Sequence, residues 1–197
     1  MRNLSIDYLK VVLAFFVVLL HLQFLRTEIP ELGFILVNGV FRLAVPLFLI
    51  ITGYYFTQIT SFEKFRNWFF RILILYVIWM IFYIPFWFKL DNSVGTLLNI
   101  PIGYFVLWYL SGVMFGGILL YFFRNLESKY LLALAIFLYL SGYFLQQIGN
   151  LHIFTGTVDK LLNWYPISRN FLFNCFPLLA IGFLIKNTNL DQKNIPI

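Results

Sequence analysis

The sequence has little charge, one cysteine and only two histidines. Asp, Glu, Lys and Arg make up 11% of its 197 residues, whereas soluble globular domains carry about 25%. The single cysteine, Cys175, excludes a disulfide within the chain. His21 and His152 are isolated from other metal-ligand residues, so no metal site is expected, and the sequence contains no glycine-rich phosphate loop. This composition argues against an ordinary soluble enzyme domain.

Apolar side chains dominate instead, at 61% of the residues, and aromatic residues alone account for 21%. A helix needs about 20 predominantly apolar residues to cross a bilayer. Stretches of this kind predict an all-α polytopic membrane bundle of about six transmembrane helices that forms a single domain over residues 1–197. The predicted spans lie near residues 8–25, 34–56, 72–88, 104–123, 130–147 and 171–185.

The formal net charge of +6 indicates orientation, not a nucleic-acid partner. Cytoplasmic ends of membrane helices carry the excess of Lys and Arg. A cytoplasmic N-terminus puts nine such residues inside and four outside, with Arg42 within the membrane. The inside set is Arg2, Lys10, Lys64, Arg66, Arg71, Arg124, Lys129, Lys186 and Lys193, and the outside set is Arg26, Lys89, Lys160 and Arg169. We therefore expect the N-terminus in the cytoplasm.

The first predicted span carries three ionisable residues, Asp7, Lys10 and His21. On a helix, Lys10 and His21 lie within about 20° of each other around the axis and about 16 Å apart along it. This polar stripe runs from the membrane surface to about the middle of the bilayer or beyond, where ionisable groups are costly and usually functional. One interpretation is an Asp7–Lys10 ion pair with a structural hydrogen bond from His21. The other makes His21 a general base or acyl carrier, with Lys10 supplying fixed positive charge.

Two further groups of basic residues allow a structural and a functional interpretation. Arg42 lies within the second predicted span, where it either forms a structural ion pair or binds an anionic group or oxyanion. Lys64, Arg66 and Arg71 lie in a segment predicted as a loop before the third span. They either follow the positive-inside rule or hold the phosphates of a nucleotide-bearing cofactor.

Several stretches together resemble the acyltransferase family 3 of integral membrane proteins. IDYLKVVLAFFVVLLH is similar to that family's first helix, in which an Asp is followed by a basic residue, ten residues and a His. FRLAVPLFLIITGYYF resembles its second helix and KFRNWFFRILILYVIW the basic segment that enters its third. LWYLSGVMFGGILLYF and SRNFLFNCFPLLAIGFLI resemble two later helices. The resemblance covers nearly the whole chain.

The resemblance implies an enzyme of the bacterial cell membrane that moves an acyl group, typically acetyl, from cytoplasmic acyl-coenzyme A to a hydroxyl of an envelope or secreted polysaccharide or glycolipid. Position by position, it implies catalytic roles for His21, Lys10 and Arg42. It implies that Arg66 and Arg71 bind acetyl-coenzyme A, and it implies no metal. Because family members usually continue through several more helices, a second chain supplying them is a further expectation.

Two other functions remain open at this point. The bundle could be a non-catalytic transporter or flippase component whose polar stripe lines a substrate path, which predicts substrate movement without coenzyme A. It could also be an inactive fragment that acquires activity only with a partner chain.

Overall fold

The structure, a computed structural model, describes residues 4–88 and 93–188, and within them all regular secondary structure is helical. This confirms the predicted all-α class for the described residues. The helices are α1 (Leu4–His21), α2 (Pro30–Phe56), α3 (Phe62–Phe82), α4 (Ile84–Trp87), α5 (Ser93–Ile102), α6 (Phe105–Phe123), α7 (Ser128–Asn150), α8 (Gly156–Leu162) and α9 (Phe171–Asn187). Arg2, Lys89 and Lys193, used above to predict orientation, lie outside the described residues.

Five helices, α1, α2, α3, α6 and α7, are long and apolar enough to cross a membrane. The sixth predicted span corresponds to α9, which is apolar but shorter. The chain is therefore a multi-pass membrane protein by length and composition. The count of six and the cytoplasmic side of the N-terminus stay predictions.

The basic segment before the third span is helical, not a loop. Ser61 caps α3 by accepting a hydrogen bond from the backbone N–H of Lys64. No Pro or Gly follows for the length of α3, so the helix runs on through the basic residues. Arg71 lies about 14 Å from the start of α3. Because α3 and α4 together exceed about 30 Å, the thickness of the hydrocarbon core, the first turns of α3 can extend beyond it.

Successive spanning helices run in opposite directions. Short connections join α1 to α2, α2 to α3 and α6 to α7, as in up-and-down bundles, and the contact of His21 with Phe105 puts the start of α6 at the end where α1 ends. We call the end of the bundle at which α1 ends the His21 end, and the opposite end the Lys10 end. The helices α4, α5 and α8 belong to the His21 end. At the Lys10 end, Arg124 donates to the carbonyls of Ile59 and Thr60 and stacks on Tyr121, 4.1 Å from its ring centre, which ties the α2–α3 connection to α6.

The last helix, α9, lies at the centre of the core. Most of its residues from Phe176 to Leu184 are buried, and it packs against α2 backbone to backbone. A Cβ atom added to Gly53 would lie 1.9 Å from the Leu179 carbonyl oxygen, and one added to Gly182 would lie 1.9 Å from the Ile50 carbonyl oxygen. Only glycine permits this approach, and small residues are what allow membrane helices to pack closely.

The short helix α5 is inserted between α3 and α6 from the His21 end. A helix leaves its last carbonyl groups without partners inside the helix. Here the Tyr76 hydroxyl of α3 donates to the Ile100 carbonyl, and the Ser111 hydroxyl of α6 donates to the Pro101 carbonyl. Because both carbonyls have partners, the end of α5 can lie inside the bundle, where irregular backbone is tolerated only beside protein or a cavity.

Candidate active site

Two cavities lie toward opposite ends of the bundle. The larger, about 1530 Å³, is at the His21 end and is formed mainly by α1, α2, α5, α6 and the chain between α8 and α9. The smaller, about 330 Å³, is at the Lys10 end between α1, α2 and α3. His21 and Arg42 line the larger cavity, whereas Lys10 lines the smaller one. The structure thus brings two of the three predicted catalytic residues together.

His21 is the last residue of α1, and its side chain is exposed in the larger cavity. Its ring centre lies 5.6 Å from that of Phe105, the first residue of α6. Beyond His21 the chain turns through Gln23 and Leu25, whose φ angles of 51° and 59° are left-handed. These conformations end the helix and keep the imidazole at the rim of the bundle. The ring is therefore accessible to a molecule that enters from the His21 end.

Arg42 lies where α2 departs from regular α-helical geometry. Residues Leu36–Val40 form a π-helical turn and Phe41–Leu43 a 3₁₀ turn, and such interruptions are frequent at functional sites. The Arg42 guanidinium donates to the side-chain oxygen of Asn38, 3.0 Å away, and forms no ion pair within the described residues. The described residues therefore do not show the structural ion pair between Arg42 and an acid that the sequence also allowed. A neutral amide orients the guanidinium and leaves its positive charge for a ligand.

The backbones of His21 and Arg42 lie at different levels along the bundle axis. Phe41, next to Arg42, packs on Phe16 of α1 with ring centres 5.3 Å apart. Phe16 precedes His21 by five residues, which is about 7.5 Å along α1. The backbone of Arg42 therefore lies deeper than the end of α1, while its guanidinium reaches back to Asn38, one turn toward the His21 end.

Lys10 is separated from His21 by about 16 Å along α1. Its ammonium nitrogen lies 3.5 Å from a carboxylate oxygen of Asp7 and 4.7 Å from the ring centre of Tyr55. The predicted pairing of Asp7 with Lys10 is present. A shared site for Lys10 and His21 is not, because the two side chains line different cavities.

Two neighbouring hydroxyl side chains lie between the cavities. Thr52 lines the smaller cavity and Tyr109 lines the larger one, and the two side chains are adjacent. The Thr52 hydroxyl donates to the Phe48 carbonyl at 2.8 Å. These two residues form the boundary between the Lys10 end and the His21 end of the site.

Arg66 and Arg71, the predicted cofactor-binding residues, are exposed on α3 and line neither cavity. They are five residues apart, so on the helix they point about 140° away from each other. The structure does not bring them to His21 or to each other. Their role in binding a cofactor stays a prediction.

Arg169 lines the larger cavity from the chain that leads into α9. The segment is held by Asn170, which caps α9 by accepting from the N–H groups of Leu172 and Phe173 and donates to the carbonyls of Pro166 and Ile167. These bonds satisfy backbone groups at the edge of the cavity. They also fix the position of Arg169 beside it.

The sequence interpretation missed the cavity roles of several polar residues, among them Arg26, Asn38, Asn174 and Tyr109. The spacing of Asn38 four residues before Arg42 is a signal that could have indicated their pairing. The other three come together only through tertiary packing. Among the described residues, no three His, Cys, Asp or Glu side chains are placed to hold a metal ion.

Comparison with known proteins gives the family. A family model described as an acyltransferase domain matches residues 3–195. The chain therefore belongs to acyltransferase family 3, as the sequence resemblance predicted. Membership supports an acyl-transferring enzyme and implies an acyl donor.

Two curated relatives carry other names. The chain is 28% identical to the serine/alanine racemase of Enterococcus gallinarum over 94% of this chain and 29% of that protein. It is 26% identical to an amino-acid racemase of Enterococcus faecalis over 72% of this chain and 22% of that protein. The chain thus spans less than a third of the length of these curated relatives. No solved structure matches it significantly.

Proposed function

We propose that this member of acyltransferase family 3 moves an acyl group, acetyl in the first instance, from cytoplasmic acyl-coenzyme A to a hydroxyl of a polysaccharide or glycolipid of the bacterial envelope. One observation supports this most directly. A histidine and an arginine, His21 and Arg42, line the same cavity of about 1530 Å³ at one end of a membrane bundle. A base and a fixed cation facing one space are what acyl transfer to a hydroxyl requires.

In the proposed reaction, His21 is the general base. The acceptor hydroxyl gives its proton to the imidazole while its oxygen attacks the thioester carbonyl. The new C–O bond forms, the C–S bond breaks, and the coenzyme A thiolate leaves with the proton that the imidazole held. In a two-step variant, the imidazole takes the acyl group first and the acceptor then removes it. General base catalysis of this kind contributes about 10²–10⁴-fold.

Arg42 stabilises the negative charge that develops on the carbonyl oxygen. Its bond to Asn38 holds the guanidinium in one orientation, and preorganised cations lower the barrier without reorganising during the step. Its backbone lies deeper in the bundle than the end of α1, which suits a thioester that arrives from the Lys10 end. Such a donor and an acceptor from the His21 end would meet between these two residues.

Lys10, Arg66 and Arg71 serve the donor in this proposal. We assign the Lys10 end to the cytoplasm, in line with the positive-inside rule. Lys10, beside Tyr55 in the smaller cavity, would bind negative charge on the donor at the entrance. Arg66 and Arg71 on the first turns of α3 would hold coenzyme A phosphates one at a time, because their directions diverge.

The test uses purified protein in liposomes with acetyl-coenzyme A radiolabelled in the acetyl group. His21→Ala should lower label consumption by at least about 100-fold. His152→Ala is the matched control, since it removes the other histidine, which does not line the cavity, and it should keep wild-type activity. Equal activity of His21→Ala and wild type would refute the role of His21. Adding donor only inside or only outside the vesicles tests the assigned orientation.

A second candidate function is a membrane module that handles a substrate without acyl transfer, either as a transporter component or with a partner chain. This candidate is kept because the two curated relatives are named as racemases, and this chain matches less than a third of each. It predicts that wild type consumes no acetyl-coenzyme A in the same liposomes. Activity that appears only after a second chain is added would support the partner version.

A further inference from the structure

The charge of the larger cavity is one-sided. Three arginines, Arg26, Arg42 and Arg169, line it together with His21, and no Asp or Glu is among its lining residues in the part of the chain that the structure describes. Arg26 and Arg42 are held by neutral amides, and cations held in this way within a membrane protein are costly unless an anion visits them. The cavity therefore has the electrostatics of an anion site.

Arg26 lies at the His21 end of the cavity, in the turn after α1. It follows His21 by five residues, whereas the backbone of Arg42 lies deeper than the end of α1. The guanidinium of Arg26 donates to the side-chain oxygen of Gln23, and the Gln23 amide in turn donates to the Leu20 carbonyl at 3.0 Å. Arg26 is thus held by a neutral amide that is itself tied to the last turn of α1. A guanidinium has five N–H donors, so most remain for a ligand.

The turn that carries Arg26 is rigid where it meets α2. A Cβ atom added to Gly33 would lie 2.7 Å from the Leu25 carbonyl carbon and 2.8 Å from the Arg26 Cα atom. This contact fixes the backbone of Arg26 against the start of α2. Glu28 and Glu31, the acids that follow it in sequence, are exposed, line neither cavity and form no ion pair with Arg26 within the described residues. Its charge is therefore presented to the cavity without a carboxylate counterion.

Other lining residues of the same cavity suit a sugar. They include the aromatic side chains of Trp87, Trp108 and Trp164 and the amides of Gln23 and Asn99. Aromatic faces offer apolar surface to the C–H groups of a pyranose ring, and amides provide hydrogen bonds to its hydroxyls. Together with Arg26, these groups select for a sugar that also carries negative charge.

We propose that the acceptor is an anionic sugar unit, bearing a carboxylate or a phosphate, and that Arg26 is the residue that recognises this charge. The proposal rests on the acyl-transfer function proposed above and names its acceptor class. Arg26 lies on the acceptor side of His21, so its contact with the anion would place a neighbouring hydroxyl near the imidazole. Arginine binds both carboxylate and phosphate in bidentate fashion, which is why the two anions are one class here.

The test measures binding without any acyl donor, so its result is independent of whether transfer occurs. The protein is placed in nanodiscs of phosphatidylcholine, and quenching of tryptophan fluorescence is titrated with glucose, glucuronic acid and glucose 6-phosphate. We expect saturation with at least one charged sugar at concentrations where glucose gives none. Comparing glucuronic acid with glucose 6-phosphate shows whether the site binds a carboxylate or a phosphate.

Arg26→Gln should weaken binding of the charged sugar by about tenfold or more, the loss expected for a hydrogen bond to a charged group. Lys160→Gln is the matched control, because it removes one positive charge from the same end on α8 without touching the cavity. It should leave binding unchanged. Glucose binding as tightly as both charged sugars, no saturation with either of them, or equal affinities in the two variants would each overturn the proposal.

Coenzyme A serves as a competing probe. If coenzyme A quenches the fluorescence and Arg26→Gln abolishes that signal while the charged sugars do not bind, the cavity holds the donor and the acceptor assignment is wrong. Charged-sugar binding that depends on Arg26, in a protein that fails to consume acetyl-coenzyme A, would instead refute the transfer function and leave the recognition of the anionic sugar standing.

Discussion

The contact between α2 and α9 gives the sharpest prediction on stability. Gly182→Ala would place a Cβ atom 1.9 Å from the carbonyl oxygen of Ile50. Two such atoms do not approach closer than about 3 Å in a packed interior, so α2 and α9 would have to separate by about 1 Å. Both sides of the contact are helical backbone, which has no alternative rotamer to relieve the overlap.

Overpacking in a protein interior costs about 1–3 kcal/mol and occasionally more. Because α9 forms the centre of the core, its displacement disturbs the buried packing of Leu49, Leu120 and Leu179 as well. We therefore expect Gly182→Ala to lose about 3 kcal/mol of unfolding free energy. The measurement is unfolding of the purified protein in mixed micelles by increasing detergent, followed by tryptophan fluorescence.

The matched control is Gly39→Ala. Gly39, like Gly182, is a helical glycine, but it lies in α2, where an added Cβ meets nothing within 4 Å. Alanine is favoured over glycine in helices by roughly 0.5–1 kcal/mol, so this variant should be neutral or slightly more stable. Gly53→Ala combined with Gly182→Ala should cost less than the two single losses added together, because one separation relieves both contacts. If Gly182→Ala is as stable as Gly39→Ala, the backbone contact between α2 and α9 is not as described.

Two further predictions concern segments that line the cavity. Tyr76→Phe leaves the Ile100 carbonyl of α5 without its donor and should lower the free energy of unfolding by about 1–3 kcal/mol. The same unfolding assay measures this loss, and hydrogen exchange should become faster in α5 alone. Unchanged exchange in α5 would contradict the role of this bond. Asn170→Ala removes the cap of α9 and should lower the free energy of unfolding by about 0.5–2 kcal/mol. Its control is Asn150→Ala, at the exposed end of α7, which should lower it little. Equal losses in the two variants would show that the cap of α9 does not stabilise the protein.

The spanning helices and part of the site could be predicted because their signals are local. The hydropathy of each long helix is a property of one stretch of sequence, and so is the stripe that joins Lys10 to His21. The helical course of residues 62–71 is less evident, because its charged residues favour a loop, although Ser61 is a good cap and no helix breaker follows.

The division of the site into two cavities could not be predicted from local signals. The stripe on α1 places Lys10 and His21 on one face, but only the packing of α2 and α6 against that face puts Thr52 and Tyr109 between them. The insertion of α5 was also hidden, because ten residues that contain Pro101 are too few to indicate a span. Its position depends on partners supplied by Tyr76 and Ser111 from distant parts of the chain.

The order of cations along the bundle ties these observations to the proposed chemistry. Lys10 lies at one end, the backbone of Arg42 lies below the end of α1, and Arg26 lies in the turn beyond it, so positive charges are spaced along α1 and α2. Asp7 accompanies Lys10, whereas Arg26 and Arg42 are held by neutral amides. A bundle selected for stability alone would pair or remove such charges, because each is costly near hydrocarbon. The proposed reaction accounts for their retention, because it brings negative charge into the cavity.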